Sequence, residues 1–296
     1  MLSCAVQSLF QFLDAASVQL ALGRLPASAL AAFYPDAANV PDRDVATYVF
    51  GLFSAALDFR NLVPGITMAL GICAVPAICR EYEADNRKRL EALMSDIYRY
   101  TSFLSFFGGA VLALLSGDIL SLFYSSSPDI ARGCERLVFW FGVTVPLYSL
   151  ASTAVFCVQA VGKPERSVVP YVISGAVRVI LNIVLINRKD LILYGAVISG
   201  ACGYFLIFAL NARVADRTAS VKFDVKNILL KPIFATFVAY FAAQKLYTYI
   251  DFVNSTVFNL LIKTAVFGAI YCILCFFVKM LNFKQIFCGS KNKKMA

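Results

Sequence analysis

Residues 137–161 read LVFWFGVTVPLYSLASTAVFCVQAV and contain no charged side chain. A transmembrane helix needs about 20 consecutive apolar residues, so this stretch is long enough to cross a bilayer. A second uncharged stretch covers residues 191–211 and has the same apolar character. Together the two stretches predict a fold built from membrane-spanning helices.

The composition of the whole chain agrees with this prediction. Of its 296 residues, 60% are hydrophobic and 15% are charged, whereas roughly 25% charged residues are usual in soluble proteins. The mean hydropathy is +0.73. This balance excludes a disordered chain, a coiled coil and a disulfide-stapled secreted module. We therefore expect an all-α, multi-pass membrane protein.

Hydropathy along the chain predicts eight transmembrane helices. They lie near residues 5–22, 57–79, 100–115, 137–161, 167–186, 191–211, 228–246 and 257–278. The second is expected to be longer, because residues 45–59 are themselves mostly apolar. We expect residues 1–227 to form a six-helix lobe, residues 228–282 to add two C-terminal helices, and residues 283–296 to form a basic tail.

A charged segment between the second and third spans is expected to form a helix at the membrane surface. Residues 80–90 carry most of the charge, and they lead into Leu93, Met94 and Ile97, which have helical spacing. An amphipathic pattern of this kind is typical of interfacial helices. The pattern predicts an interfacial helix near residues 80–96.

Basic residues indicate the orientation in the membrane. Most of the 27 lysines and arginines fall in the tail and in the loops after the second, fourth and sixth spans. Cytoplasmic loops carry an excess of Lys and Arg, so both termini are expected to be cytoplasmic in a cell membrane. The net charge of +9 is thereby explained as a topology signal, and no nucleic-acid partner is expected.

Nothing in the sequence predicts an enzyme. The chain has no histidine, the commonest general base and zinc ligand. There is no glycine-rich phosphate loop, no paired-carboxylate set and no nucleophile constellation. The nine cysteines mostly fall in apolar runs, where they are expected to act as small packing residues. No metal site is expected.

Ionisable residues inside spans are the candidate functional residues, because burying a charge in lipid is costly. Arg178 and Asn182 share a helix face, and a cation beside an amide donor suits a phosphate or carboxylate in a wet cavity. The alternative is an Asp14–Arg178 ion pair that only fixes helix packing. Arg60 either lines a cavity or marks a helix end, and Lys263 is expected to reach the outer interface.

Four short motifs resemble one transporter family. Residues 74–90, AVPAICREYEADNRKRL, resemble the "VPAISEAYAKGDRKRL" signature of stage V sporulation protein B-like polysaccharide transporters. Residues 159–164, QAVGKP, are similar to that family's "LQGxGKP", residues 178–182, RVILN, to its "KVILN", and residues 194–199, YGAVIS, to its "YGAAIGT". The order and spacing of the motifs also agree.

The resemblance implies a place in the multidrug/oligosaccharidyl-lipid/polysaccharide exporter (MOP) superfamily, which includes Wzx and MurJ-type flippases. Such proteins have fourteen helices in two lobes. This chain would correspond to the C-terminal lobe and the last two helices. A missing N-terminal lobe, or a partner subunit in its place, is therefore an expected partner, together with membrane lipid.

The resemblance also implies a function and its residues. The substrate would be a lipid-linked (undecaprenyl-diphosphate) sugar or oligosaccharide, flipped across the cytoplasmic membrane for cell-envelope polysaccharide or peptidoglycan biosynthesis. Arg60, Arg178 and Asn182 would bind the substrate in a cavity. Asp14, Asn182 and Ser199 would bind a coupling ion, Na+ or H+, and no other cofactor is expected.

Two competing functions stay open at this point. A cation-coupled multidrug exporter of the same superfamily is one, although the arginines inside spans favour an anionic substrate. The other is a non-transporting, half-size membrane subunit, which the start of the chain inside a span favours.

The predicted orientation can be tested by labelling single cysteines in a cysteine-free background. In intact cells, an impermeant maleimide should label Ser126→Cys, in a predicted external loop. It should not label Lys88→Cys or Ser290→Cys until the cells are opened. Labelling of either from outside would contradict the orientation.

Overall fold

The computed structural model describes residues 2–188, 190–219, 226–248 and 256–278. Within these ranges the chain is helical, and none of the described residues forms a β-strand. The chain divides into two compact units, Met1–Phe223 and Asp224–Ala296. The sequence predicts that the lobe ends at residue 227, and the predicted basic tail, 283–296, lies outside the described residues.

Ten α-helices lie within these ranges. They are α1 (Leu2–Leu22), α2 (Ala27–Phe33), α3 (Val45–Glu83), α4 (Arg87–Leu114), α5 (Ser116–Phe123), α6 (Pro128–Ala160), α7 (Val168–Ile186), α8 (Leu193–Ala219), α9 (Lys231–Tyr247) and α10 (Thr256–Phe277). Short 3-10 turns cover Pro35–Asn39 and Pro164–Ser167, and a π-turn, Lys226–Leu230, precedes α9.

Seven of the described helices are long and apolar enough to span a membrane, which confirms an all-α membrane protein. The first predicted span does form a helix, α1, but it is not among the seven. The physical reason is its polar content, since Gln7, Gln11, Asp14 and Gln19 interrupt its apolar residues.

Helix α3 is much longer than the predicted second span and continues through Pro64 and Pro76. The predicted interfacial helix near residues 80–96 is wrong as a single element. Residues 80–83 end α3, Asp85 turns the chain with a φ of 48°, and α4 begins at Arg87. Two of the apolar positions that suggested a membrane surface, Met94 and Ile97, are instead buried in the protein.

Helix α6 forms the centre of the first unit and packs against α3, α4 and α8. Of the seven candidate spans it has the largest buried share, 72% of its apolar window. It ends at Ala160, and Gly162, two residues later, has a φ of 73°, which suits the left-handed position after a helix. Small residues permit its close approach to α4, because a Cβ on Gly142 would lie 2.5 Å from the carbonyl oxygen of Gly109.

Helix α7 lies between α1 and α8 and packs against both. A Cβ on Gly175 would overlap the ring of Phe10 on α1, and a Cβ on Gly195 would lie 2.8 Å from the backbone of Leu185. Without a strong hydrophobic force between helices in lipid, such close approaches let van der Waals contacts hold helices together. The polar residues of α7 are thereby brought against α1 on one side and α8 on the other.

The second unit contains a helix pair, α9 and α10. Ala235, Ala239 and Ala243 recur every four residues on α9 and are buried. The larger Phe267, Tyr271 and Cys275 recur at the same spacing on α10 and are also buried. Residues four apart share a helix face, so a small-residue stripe on one helix accommodates a large-residue stripe on the other.

The Gly109–Gly142 crossing predicts a large effect of one methyl group. Gly142→Ala should destabilise the protein by about 1–3 kcal/mol, because the new Cβ would clash with backbone atoms that cannot swing away. Gly51→Ala is the matched control, since nothing lies within 4 Å of its Cβ position. Thermal unfolding in detergent should show a lower Tm for the first variant only. Equal Tm values would contradict the close crossing.

Candidate functional site

A buried polar cluster joins α1, α7 and α8. The Arg178 guanidinium on α7 donates through Nη2 to Oδ2 of Asp14 on α1. Asn182, one turn further along α7, donates through Nδ2 to Oδ1 of the same carboxylate at 2.9 Å. Only 13% of the Arg178 side chain and 18% of the Asp14 side chain are exposed. Both oxygens of the carboxylate are therefore engaged by α7.

The Asn182 side chain makes three hydrogen bonds inside this cluster and uses both of its N–H donors. Its second Nδ2 hydrogen bond goes to Oγ of Ser17 at 2.8 Å, and its Oδ1 accepts a hydrogen bond from Oγ of Ser199 on α8. Ser17 in turn donates to the backbone oxygen of Asp14 at 2.7 Å. Asn182 and Ser199 are fully buried. The amide thus links three helices without leaving a polar group of its own unpaired.

Arg178 reaches Asp14 by crossing the surface of α8 at a glycine. A Cβ on Gly203 would overlap Cγ and Cδ of Arg178, so only glycine leaves room for the side chain there. The guanidinium carbon lies 4.8 Å from the ring centroid of Tyr204, which places a cation over an aromatic face. The Nε of Arg178 is buried and has no hydrogen-bond partner. The guanidinium therefore keeps donor capacity beyond its pair with Asp14.

Arg60 on α3 reaches the same aromatic residues from another direction. Its guanidinium carbon lies 5.2 Å from the ring centroid of Tyr148 and 5.6 Å from that of Tyr204. The two tyrosine rings are stacked, with centroids 4.3 Å apart. Asn61 accepts hydrogen bonds from the Arg60 guanidinium at 3.1 and 3.3 Å. Both arginines that sequence analysis selected therefore contact one tyrosine, Tyr204.

A small cavity lies beside this arrangement, with a volume of about 30 Å³. That volume suffices for one or two water molecules. Its polar lining residues come from α1, α6, α7 and α8 and are Gln7, Gln11, Tyr148, Ser152, Tyr171, Ser174, Arg178 and Tyr204. The cavity is therefore a polar site inside a unit whose helices are largely apolar.

The structure brings together most of the sequence-predicted site residues. Asp14, Arg178, Asn182 and Ser199 form one hydrogen-bonded cluster. The Asp14–Arg178 pair, one of the two alternatives that the sequence left open, is formed, and Arg178 also lines the cavity. Their roles in substrate binding and ion coupling stay predictions.

Lys263 belongs to the second unit and to a different environment. Its Nζ lies 5.8 Å from the ring centroid of Tyr247, the last residue of α9. Within the described ranges, no group of three or more His, Cys, Asp or Glu residues could hold a metal ion.

Sequence reasoning missed four residues that complete the site. Ser17 could have been selected from the sequence, because it lies three residues after Asp14 and so shares its helix face. Gly203 follows Ser199 by four residues, and two small residues at this spacing ordinarily indicate helix packing. Nothing in the sequence marks Tyr148 and Tyr204 as site residues, because aromatic residues are ordinary in apolar spans.

Comparisons with known proteins agree with the helical architecture. Residues 42–184 match the MatE family model, a range that includes Arg60, Arg178 and Asn182. The chain is similar to the lipid II flippase MurJ of Bacillus subtilis (strain 168), with 25% identity over 167 residues. That alignment covers 56% of this chain and 30% of the flippase.

A solved structure gives a second similarity. It is lipid II flippase MurJ in an inward closed conformation, with a TM-score of 0.61 and 16% identity. The alignment covers 94% of this chain and 52% of the other. At this identity the likeness shows the fold alone. The chain spans about half or less of the length of these two relatives.

The three hydrogen bonds of the Asn182 amide yield a stability prediction. Asn182→Ala should destabilise the protein by about 1–3 kcal/mol or more, because Asp14, Ser17 and Ser199 would each lose a buried partner. Asn187→Ala, at the exposed end of the same helix, should change stability by less than about 0.5 kcal/mol. Thermal unfolding in detergent measures both. A neutral Asn182→Ala would show that the cluster contributes nothing to stability.

Proposed function

The chain belongs, through its MatE region, to the MOP exporter superfamily, and on that premise we propose that it acts as a helical lobe of a flippase for lipid-linked saccharides. The substrate that we propose is an undecaprenyl-diphosphate-linked sugar or oligosaccharide. The chain would help to move its headgroup across the cytoplasmic membrane for cell-envelope polysaccharide or peptidoglycan biosynthesis.

The superfamily was predicted from four short motifs and is confirmed. The narrower assignment to stage V sporulation protein B-like transporters stays a prediction. MatE and MurJ-type proteins are transporters and not enzymes, so the prediction of a non-enzyme is also confirmed. The chain is a multi-pass membrane protein, and the cytoplasmic location of both termini stays a prediction.

The observation that carries the proposal is the convergence of two arginines on one aromatic pair. Arg60 and Arg178 come from α3 and α7, yet both guanidinium groups lie within 6 Å of the Tyr204 centroid. A guanidinium binds phosphate oxygens through parallel N–H donors. Arg178 retains an unpaired Nε for this purpose, and the tyrosine rings hold both cations in place.

The surroundings of the two arginines suit a substrate with a lipid tail. Leu62 and Ile66 follow Arg60 on α3 and are 57% and 64% exposed. Ile180, two residues after Arg178, is 60% exposed. These apolar faces are suited to acyl or isoprenoid chains. A tail could therefore remain in the bilayer while the diphosphate contacts the arginines.

Transport by a protein of this kind needs a second group of helices in addition to this chain. In secondary transporters the substrate site lies between two repeats that rock against each other. We propose that a second helical lobe, on the same polypeptide or on a partner subunit, faces the Arg60 side of this chain. MatE family members are ion-coupled transporters. Coupling to Na+ or H+ through Asp14, Asn182 and Ser199 stays a prediction.

Direct binding of undecaprenyl diphosphate tests the proposal without requiring a second lobe. In nanodiscs, Arg60→Ala and Arg178→Ala should each raise the Kd about tenfold or more, equal to about 1.4 kcal/mol. Arg178→Lys should keep part of the affinity, because a point charge remains but the planar fork is lost. Lys263→Ala is the matched control, since it removes another cation from a span of the other unit.

The neutral alcohol undecaprenol separates headgroup binding from tail binding. It should bind much more weakly than the diphosphate, and inorganic diphosphate should compete with the lipid. Equal binding of alcohol and diphosphate, or normal binding by a folded Arg178→Ala chain, would contradict the proposal. Preferential binding of a lipophilic cation would favour the multidrug exporter instead.

A further inference from the structure

The residues predicted to bind a coupling ion supply a suitable set of oxygen atoms. A small hard cation is bound by carboxylate, carbonyl and hydroxyl oxygens. The cluster offers the Asp14 carboxylate, Oδ1 of Asn182 and the hydroxyls of Ser17 and Ser199. All of these oxygens already take part in hydrogen bonds within the cluster. The chemistry of the set fits a cation, but both oxygens of the Asp14 carboxylate already accept hydrogen bonds from Arg178 and Asn182.

The group that occupies the carboxylate is itself a cation. Arg178 carries one positive charge and pairs directly with the single negative charge of Asp14. An added Na+ at this carboxylate would give the buried cluster a net positive charge. An uncompensated charge of this kind is costly away from water. A free cation and the guanidinium therefore compete for one position.

Arg178 is held at this position by more than its charge. Its stem crosses α8 at Gly203, the only residue type that leaves space there. The Tyr204 ring lies under the guanidinium at 4.8 Å. Ser174 on α7 donates to the backbone oxygen of Gly203 at 2.8 Å and fixes α7 against α8 at the same level. These contacts place the guanidinium beside Asp14 and oppose its replacement by a free ion.

We propose that Arg178 is a built-in cation that takes the place of an inorganic coupling ion at Asp14. The cluster is then a cation site whose cation is covalently attached to α7. It binds no Na+ in the unchanged chain, contrary to the predicted Na+ coupling through Asp14, Asn182 and Ser199, and removal of the guanidinium creates a site that does. This inference rests on the ion pair between Arg178 and Asp14, and it does not rest on the binding of a lipid diphosphate.

The experiment compares Na+ binding by the purified chain and by Arg178→Asn. The asparagine is shorter and adds a carbonyl oxygen to the cluster. With ²²Na+ as the probe and choline chloride holding the ionic strength constant, the unchanged chain should show no saturable binding. Arg178→Asn should gain saturable binding and a Tm that rises with Na+ but not with choline. Arg178→Lys, which retains an attached cation, should not gain it.

Two controls locate the gained site. The double variant Asp14→Asn/Arg178→Asn should lose the Na+ binding that Arg178→Asn gains. Lys263→Asn, which removes a cation from the other unit, should gain none. Saturable Na+ binding by the unchanged chain that Asp14→Asn abolishes would overturn the proposal, because ion and guanidinium would then share the carboxylate.

The stability of the variant is also informative. If Arg178→Asn unfolds in choline, Na+ should restore its folding. If Na+ restores neither folding nor binding, the cluster is not a cation site, and the proposal is overturned. No lipid is present in these measurements. Their failure would leave the diphosphate proposal intact, and weak diphosphate binding would leave the Na+ result unaffected.

Discussion

A charge buried inside a membrane helix needs a partner that compensates it, and the packing of α1 against α7 depends on this constraint. Asp14 and Arg178 satisfy it across α1 and α7. Removing one member of a buried pair typically costs about 3–5 kcal/mol, because the other charge is left uncompensated. The pair therefore ties α1 to α7, a helix that is long and apolar enough to span the bilayer.

Small residues make that pairing possible. In lipid there is little hydrophobic force between helices, so close backbone approach and interhelical hydrogen bonds hold them together. Gly109 and Gly142 bring α4 against the central α6, and Gly175 brings α7 against α1. Gly203 has a different function, because it opens a passage across α8 for the stem of Arg178. Glycine thus permits close helix packing in one place and makes room for a charged side chain in another.

Aromatic residues connect this ion pair to a second cation. The Tyr148–Tyr204 stack contacts both Arg60 and Arg178. Cation–π contacts contribute about 0.5–2 kcal/mol each, depending on how far the cation is removed from water. Arg178 is therefore shared between Asp14 and the aromatic stack. This double engagement explains how one residue can neutralise a carboxylate and still present an unpaired N–H to an anion.

The site could be predicted only in part. A position inside a span selected Asp14, Arg60 and Arg178, and depth distinguished Asp14 and Arg178, because a charge far from either helix end cannot reach water. Helical spacing placed Asn182 on the face of Arg178. Neither argument could identify Tyr148 or Tyr204, because an aromatic side chain in an apolar span is equally suited to lipid, to a protein core or to a cation.

The sequence by itself determined the membrane-protein class, the approximate positions of the long helices and the charges that need compensation. Each of these depends on residues close together in the chain. The tertiary structure alone decided which surface covers each apolar or polar face. Met94 and Ile97 show the difference, since their helical spacing suggested a membrane surface and the structure buries them in protein. The physical reason is that periodicity reveals which side of a helix is apolar, whereas the neighbour that covers it comes from a distant part of the chain.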